Sequence, residues 1–154
     1  TAGTLHDKLM ESGAELVIET VNGLLSKSLI PMDQTELIGD DLALKPAPKI
    51  FKPDCEIRWK NSTKKVYDFI RGLSPYPGAF TQIKLETGII KTLKIFECKP
   101  SREIGPAGKF VIENEKFIIY TSNGALELTE VQLEGKKRMN AAEFIRGTTI
   151  SSIV

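Results

Sequence analysis

The chain has little of what most catalysis requires. It carries one histidine, His6, and two cysteines, Cys55 and Cys98, in 154 residues. One imidazole and two widely separated thiols fit no metal-ligand spacing. No Ser–His–Asp set can be assembled, and no glycine loop of the phosphate-cradling kind is present. His6 lies in the first turn of a stretch with helical periodicity and reads as solvent-facing. Asp40 and Asp41 are adjacent carboxylates in an irregular segment, with nothing nearby to drive their pKa values apart, and read as solvated. No apolar run approaches the roughly 20 residues needed to cross a bilayer. Thr1-Ala2-Gly3 leads straight into a helix rather than into a secretory leader. These absences predict a chain with no complete active site, no metal, no membrane partner, and reduced cysteines in a cytoplasmic setting.

What is present is unevenly charged. The net charge is +1. Residues 1–59 hold six Lys/Arg against ten Asp/Glu, a net of −4, and residues 60–154 hold fifteen against ten, a net of +5. A basic half on a near-neutral chain points to a polyanionic partner. Three places concentrate the positive charge or the punctuation. Lys45, Lys49 and Lys52 line a proline-punctuated stretch over 31–53, either as solvated lysines or as a strap touching a phosphate backbone. Gly135-Lys136-Lys137-Arg138 is the one concentrated cationic run, either a solvated turn or a phosphate-binding loop. Between them, Ile70-Arg71-Gly72-Leu73-Ser74-Pro75-Tyr76-Pro77-Gly78-Ala79-Phe80-Thr81 sets two prolines and two glycines close together, which enforces helix, rigid turn, strand. Gly72 suits the left-handed position that ends a helix.

The periodicities organise the rest. Thr4, with Asp7 three residues on, predicts the cap of a helix running to Leu25. Its apolar stripe is Leu9, Gly13, Leu16, Val17, Val21, Leu24 and Leu25, with Gly13 placed to admit a close neighbour. Such a stripe needs a covering partner that the next residues do not supply. This suggests a helix whose partner lies upstream, or one packed on the rest of the chain or on a second copy. Glu56-Ile57-Arg58-Trp59 reads as extended, and Ser62 as the cap of a helix over 63–71. Strands are expected at 80–85, 89–98, 109–113, 117–121 and 125–133, with a hairpin turn at Ser122-Asn123-Gly124. In the last strand the apolar parity changes between Leu128 and Val131, which implies a bulge near Thr129-Glu130. Asn140 with Glu143 predicts a last short helix, and 148–154 has no clear assignment. The fold class is therefore mainly β: a small five-stranded antiparallel barrel of the oligonucleotide-binding type with flanking helices, preceded by a linker and a long N-terminal helix. A half-open sandwich is the alternative.

Four strings, in order, resemble one family. Thr1-Ala2-Gly3-Thr4-Leu5-His6-Asp7-Lys8-Leu9 is similar to the helix that closes the catalytic domain of methionyl-tRNA formyltransferases. Ala47-Pro48-Lys49-Ile50 through Ile57-Arg58-Trp59 resembles their interdomain linker. Phe69-Ile70-Arg71 with Pro75-Tyr76-Pro77 resembles the entry to their C-terminal barrel, and Leu133-Glu134-Gly135-Lys136-Lys137-Arg138-Met139 the approach to their last helix. The resemblance implies three regions: 1–30 as the final helix of a truncated catalytic domain, 31–59 as linker, and 60–154 as a tRNA-binding barrel. It implies an intact enzyme that moves a formyl group from 10-formyltetrahydrofolate to the methionyl amino group of initiator tRNA. The family's catalytic Asn, His and Asp would lie upstream of Thr1, so this chain alone is expected to be inactive and to bind no folate. Lys49 and Lys52 match basic linker positions and Lys136 and Lys137 the family's paired lysines; with Arg138 they form the expected nucleic-acid-binding set. Aminosugar formyltransferases and 10-formyltetrahydrofolate hydrolases or dehydrogenases share the helix and the proline turn. They remain an alternative, as does a stand-alone nucleic-acid-binding barrel.

Overall fold

The computed structural model describes residues 1–38 and 45–154. They form two units, Thr4–Lys49 and Thr1–Gly3 with Ile50–Val154. Asp40 and Asp41 lie outside the described residues.

The first unit is built on a helix, α1 (Ala2–Leu25). It begins ahead of the expected Thr4 cap. The N–H of Gly3 already has an acceptor in the Ser74 carbonyl at 3.0 Å, so one of the donors that a cap would satisfy is provided for elsewhere. Lys27, at φ 59, turns the chain out of the helix in the left-handed region. The amides of Ser28 and Leu29 then return to the Gly23 carbonyl at 2.9 and 3.1 Å. A Cβ at Gly23 would stand 2.5 Å from Leu29 Cδ1, which is why glycine is there. The stripe is exposed: Leu9, Leu16 and Val17 each keep about 60% of their surface. Among the described residues nothing lies within 4 Å of where a Gly13 Cβ would be. Asp33 caps the single turn Gln34–Leu37 by accepting from the Thr35 N–H at 2.9 Å.

In the second unit, α2 (Thr63–Leu73) starts at Ser62, whose hydroxyl accepts from the Lys65 N–H. It runs through Gly72 to Leu73, so Gly72 is helical rather than the left-handed terminator expected. The stop comes from Ser74, extended at φ −91 and ψ 134 ahead of Pro75. Gly78, at φ +87, makes the reversal instead. The strands are β1 (Ala79–Leu85), β2 (Ile90–Ser101), β3 (Phe110–Glu113), β4 (Lys116–Thr121), β5 (Gly124–Leu133), β6 (Met139–Asn140) and β7 (Ile150–Ile153), with α3 (Ala141–Gly147) between the last two. They form one antiparallel sheet, nearly closed on itself, in the order β3-β4-β5-β2-β1-β7, with β6 against β5.

The five expected strands are present, and two more were not legible. β6 is only two residues, and β7 comes from the unassigned tail, where it takes the free edge of β1. Asn114 and Glu115, both at positive φ, form the tight turn between β3 and β4. Ser122 and Asn123 alone make the next turn, and Gly124 belongs to β5. The parity change in β5 is a register break. Val131 pairs with Ile95, Glu130 with Glu97 and Leu128 with Cys98, leaving Thr129 and Phe96 between rungs.

Val66, Ile70 and Leu73 of α2 cover one side of the sheet, over Ile83, Leu93, Ile95, Ile119, Leu126 and Val131. Phe117 is fully buried, edge-on to Phe110 at 5.6 Å and stacked on Phe144 of α3 at 6.2 Å. Ile57 is stitched to β1 through its N–H to the Phe80 carbonyl, 2.8 Å. Trp59 is buried beside it, and its indole N–H donates to Thr81 Oγ1 at 3.1 Å. Cys55, Ile57 and Trp59, within the segment expected to be linker, thus pack in the barrel's core.

Candidate nucleic-acid interface

The cationic loop follows β5. Gly135, at φ +77, reverses the chain, and the Lys136 N–H closes the turn on the Leu133 carbonyl at 2.9 Å. Two side chains hold it. Gln132 Nε2 donates to the Lys136 carbonyl at 2.9 Å, and the Glu134 carboxylate accepts from the Thr92 N–H at 3.1 Å. The loop is thus clamped to β2 with Lys136 and Lys137 exposed on it. Arg138 is engaged differently. It is ion-paired with Glu130, and its guanidinium lies 4.3 Å from the centre of the Phe96 ring, over the register break.

Lys52 opens a single turn, Lys52–Cys55, in which the Asp54 carboxylate accepts from the Phe51 N–H at 2.8 Å. Burial of Cys55 fixes that turn on the barrel, and Lys52 is exposed on it. The structure brings Lys52 and the Gly135 loop to one place: both line a cavity of about 510 Å³ between the turn and β2. Lys49 and Lys45 belong to the other unit and are exposed there.

Four further cations, of the fifteen in the basic half, are tied to carboxylates. Lys64 and Arg71 share Asp68, whose carboxyl is held below its ordinary range chiefly by the Lys64 hydrogen bond. Lys116 pairs with Glu127 at 3.3 Å and Arg146 with Glu115 at 3.4 Å. Among the described residues no carboxylate pairs with Lys52, Lys136 or Lys137. Side chains whose charge is not already matched are the ones an incoming phosphate gains most from.

Two lining residues were not singled out from sequence. Lys94 sits on β2 and donates from Nζ to the Pro77 carbonyl at 2.9 Å. Tyr76, between the two prolines, is 85% exposed at the cavity mouth. A lysine between Leu93 and Ile95 was the available signal for the first; an aromatic on a turn stiffened by flanking prolines was the signal for the second.

Of the two thiols, Cys55 lines the cavity. Both are buried, and burial pushes Cys98 up to about 12. His6 is exposed, 3.2 Å from Asp7. Among the described residues no group of His, Cys, Asp or Glu is arranged to hold a metal, and no helix is long and apolar enough to cross a membrane.

The antiparallel barrel with its terminal helix and cationic loop matches the family model described as formyl transferase, C-terminal domain, over residues 49–149. The chain belongs to that family. It is 43% identical over 146 residues to the methionyl-tRNA formyltransferase of Phocaeicola vulgatus, covering 93% of this chain and 45% of that protein. It is likewise 43% identical over 147 residues to that of Parabacteroides distasonis, covering 94% and 45%. The chain thus spans about half the length of the relatives it matches. Among solved structures, HypX from Aquifex aeolicus aligns with a TM-score of 0.66 and 21% identity over 90% of this chain and 24% of that one. HypX in complex with tetrahydrofolic acid aligns with a TM-score of 0.54 and 21% identity over 84% and 22%. These two likenesses establish a shared fold.

Proposed function

We propose that this chain is the tRNA-holding C-terminal part of a cytoplasmic methionyl-tRNA formyltransferase. The whole protein carries a formyl group from 10-formyltetrahydrofolate to the methionyl amino group of initiator tRNA. Residues 1–30 close the catalytic domain, 31–59 connect and contribute Lys49 and Lys52 to the grip, and 60–154 hold the RNA. The observation that carries the reading is the 43% identity, over nearly the whole chain, to proteins of that name. The geometry supports it: Lys136 and Lys137 stand on a clamped loop beside Lys52, without carboxylate partners among the described residues. These lysines bind phosphates. Arg138 braces the loop through Glu130 and Phe96 and, in this reading, adds its charge to the same phosphate-binding set. Lys49, three positions before Lys52 in sequence, is a further phosphate contact in this reading.

The formyl donor belongs to the rest of the whole protein.

The test is binding of initiator methionyl-tRNA by this chain and by its Lys136→Ala/Lys137→Ala variant over a range of salt. Each phosphate contact contributes a slope of roughly 0.9 in log K against log salt for duplex nucleic acid. The variant is expected to bind more weakly, with a slope smaller by roughly 2, and to melt at the parent's temperature. Equal affinity and equal slope would reduce the loop to a solvated turn.

A further inference from the structure

We infer that the cavity beside the Pro75-Tyr76-Pro77 turn is a subsite for one unpaired nucleotide, with the base stacked on Tyr76 and the phosphate held by Lys52. This deepens the RNA-holding reading and rests on it.

The argument begins with Tyr76. A tyrosine that keeps 85% of its surface usually stands on a mobile loop, but this one does not. The backbone beneath it is pinned on each side. Ser74 accepts from the Gly3 N–H at 3.0 Å, the Gly78 N–H returns to the Leu73 carbonyl at 2.9 Å, and Lys94 Nζ donates to the Pro77 carbonyl at 2.9 Å. Proline on both sides removes backbone freedom as well. A ring held out on a rigid mount loses little entropy when something stacks on it.

Beside the ring is a cavity of about 510 Å³, inside the range of roughly 300–1,000 Å³ typical of small-ligand sites. Its charge is chosen for an anion. Lys52 and Lys94 line it, and Lys136 follows Gly135 at its rim. Among the described residues Glu134 is the one carboxylate in the lining, and it is turned to the backbone of β2, where it accepts from the Thr92 N–H. Lys94 is spent on the Pro77 carbonyl, which leaves the exposed Lys52 to meet a phosphate. An aromatic platform next to cations that track a backbone is how proteins bind single-stranded nucleic acid without reading its sequence. A duplex does not fit that description, because its bases are already stacked; the subsite takes a nucleotide from a loop or an unpaired end.

The experiment uses the chain as it is, with three RNA probes in fluorescence anisotropy: initiator tRNA, an unstructured tetra-adenylate, and a blunt twelve-base-pair duplex. Parent, Tyr76→Ala and Tyr76→Phe are compared, and circular dichroism confirms that each is folded. Tyr76→Ala is expected to weaken tetra-adenylate binding by roughly tenfold or more with an unchanged salt slope, since stacking carries no counterion release. Tyr76→Phe should bind within about twofold of the parent, and duplex binding should be equal in all three. No binding of tetra-adenylate by the parent, or equal binding by Tyr76→Ala, overturns the subsite. Weak binding by both variants assigns the role to the phenol hydroxyl and also overturns it. If tRNA binding depends on Lys136 and Lys137 but not on Tyr76, the proposed function stands without the subsite. If tetra-adenylate binds through Tyr76 and tRNA does not bind, the subsite stands and the function falls.

Discussion

At the scale of single residues, burial decides more than chemical type does. Cys98 has no charge partner of consequence, and burial alone is the first reason its thiol is pushed up to about 12 from an ordinary 9.0. Cys55 shifts in the same direction, again first through burial. The sign of the consequence follows. Below pH 9 both states hold the Cys98 proton and stability is unaffected. Between pH 9 and about 12 the unfolded thiol ionises while the folded one does not, so stability falls as pH rises through that window. Urea midpoints at pH 8 and pH 10.5 should show a drop for the parent that is smaller in Cys98→Ala. The same drop in both would mean that the thiol is not the source. Cys98 of the native protein should also resist iodoacetamide at pH 8, because the thiolate is the nucleophile and burial suppresses it.

At the scale of elements, the barrel is fastened by side chains that reach between neighbours. Asn123, in the β4–β5 turn, accepts from the Thr63 N–H at 2.8 Å and so receives a donor from the start of α2. The hydroxyls of Thr63 and Thr121 lie 2.7 Å apart, and Thr121 donates to the Gly124 carbonyl at 3.0 Å. A Cβ at Gly124 would stand 2.7 Å from Thr63 Oγ1. Gly124→Ala should therefore cost about 1–3 kcal/mol by denaturant melting, and adding Thr63→Ala should recover part of that loss. Full additivity of the two changes would show that the clash is not the cause. α1 is the opposite case. Its stripe is exposed, with Leu9 at 62% and Val17 at 63%, so little apolar burial supports it in this chain. Hydrogen exchange should find α1 amides exchanging well ahead of those in β2 and β5. Equal protection would show that the stripe is covered in solution.

At the scale of the whole molecule, charge and chemistry are separated. The basic residues collect in the barrel half, while no described His, Cys, Asp or Glu residues are grouped to hold a metal. The chain alone, incubated with 10-formyltetrahydrofolate and methionyl-tRNA, is expected to release no formyl-methionyl product above the uncatalysed background. Clear turnover would overturn the reading of it as the holding part. In a longer protein that carries this chain, loss of Lys136 and Lys137 should raise KM for the tRNA with kcat nearly constant, since a grip far from the reacting atoms acts through binding.

The local physics was legible from the chain itself. Ser62 and Asn140 announced their helices because a hydroxyl or amide oxygen before an amphipathic run has one good use, to accept an unpaired amide. The switch of parity in β5 announced its bulge because side chains alternate with a period of two, and a buried face permits no other explanation. Other features became visible only when the chain was folded. The tail became β7 because β1 offered a free edge, and a four-residue strand with two serines carries no signal strong enough to reveal that. Gly72 stayed helical because Leu73 had a core to reach. Arg138 was separated from its neighbours Lys136 and Lys137 by Glu130 and Phe96, which lie on other parts of the sheet. Lys52, Tyr76 and Gly135 share one cavity only because the strands between them return to the same place. Periodicity and capping act over a few residues and can be read along the chain; which charges find partners, and which are left for a ligand, depends on contacts between residues far apart in sequence.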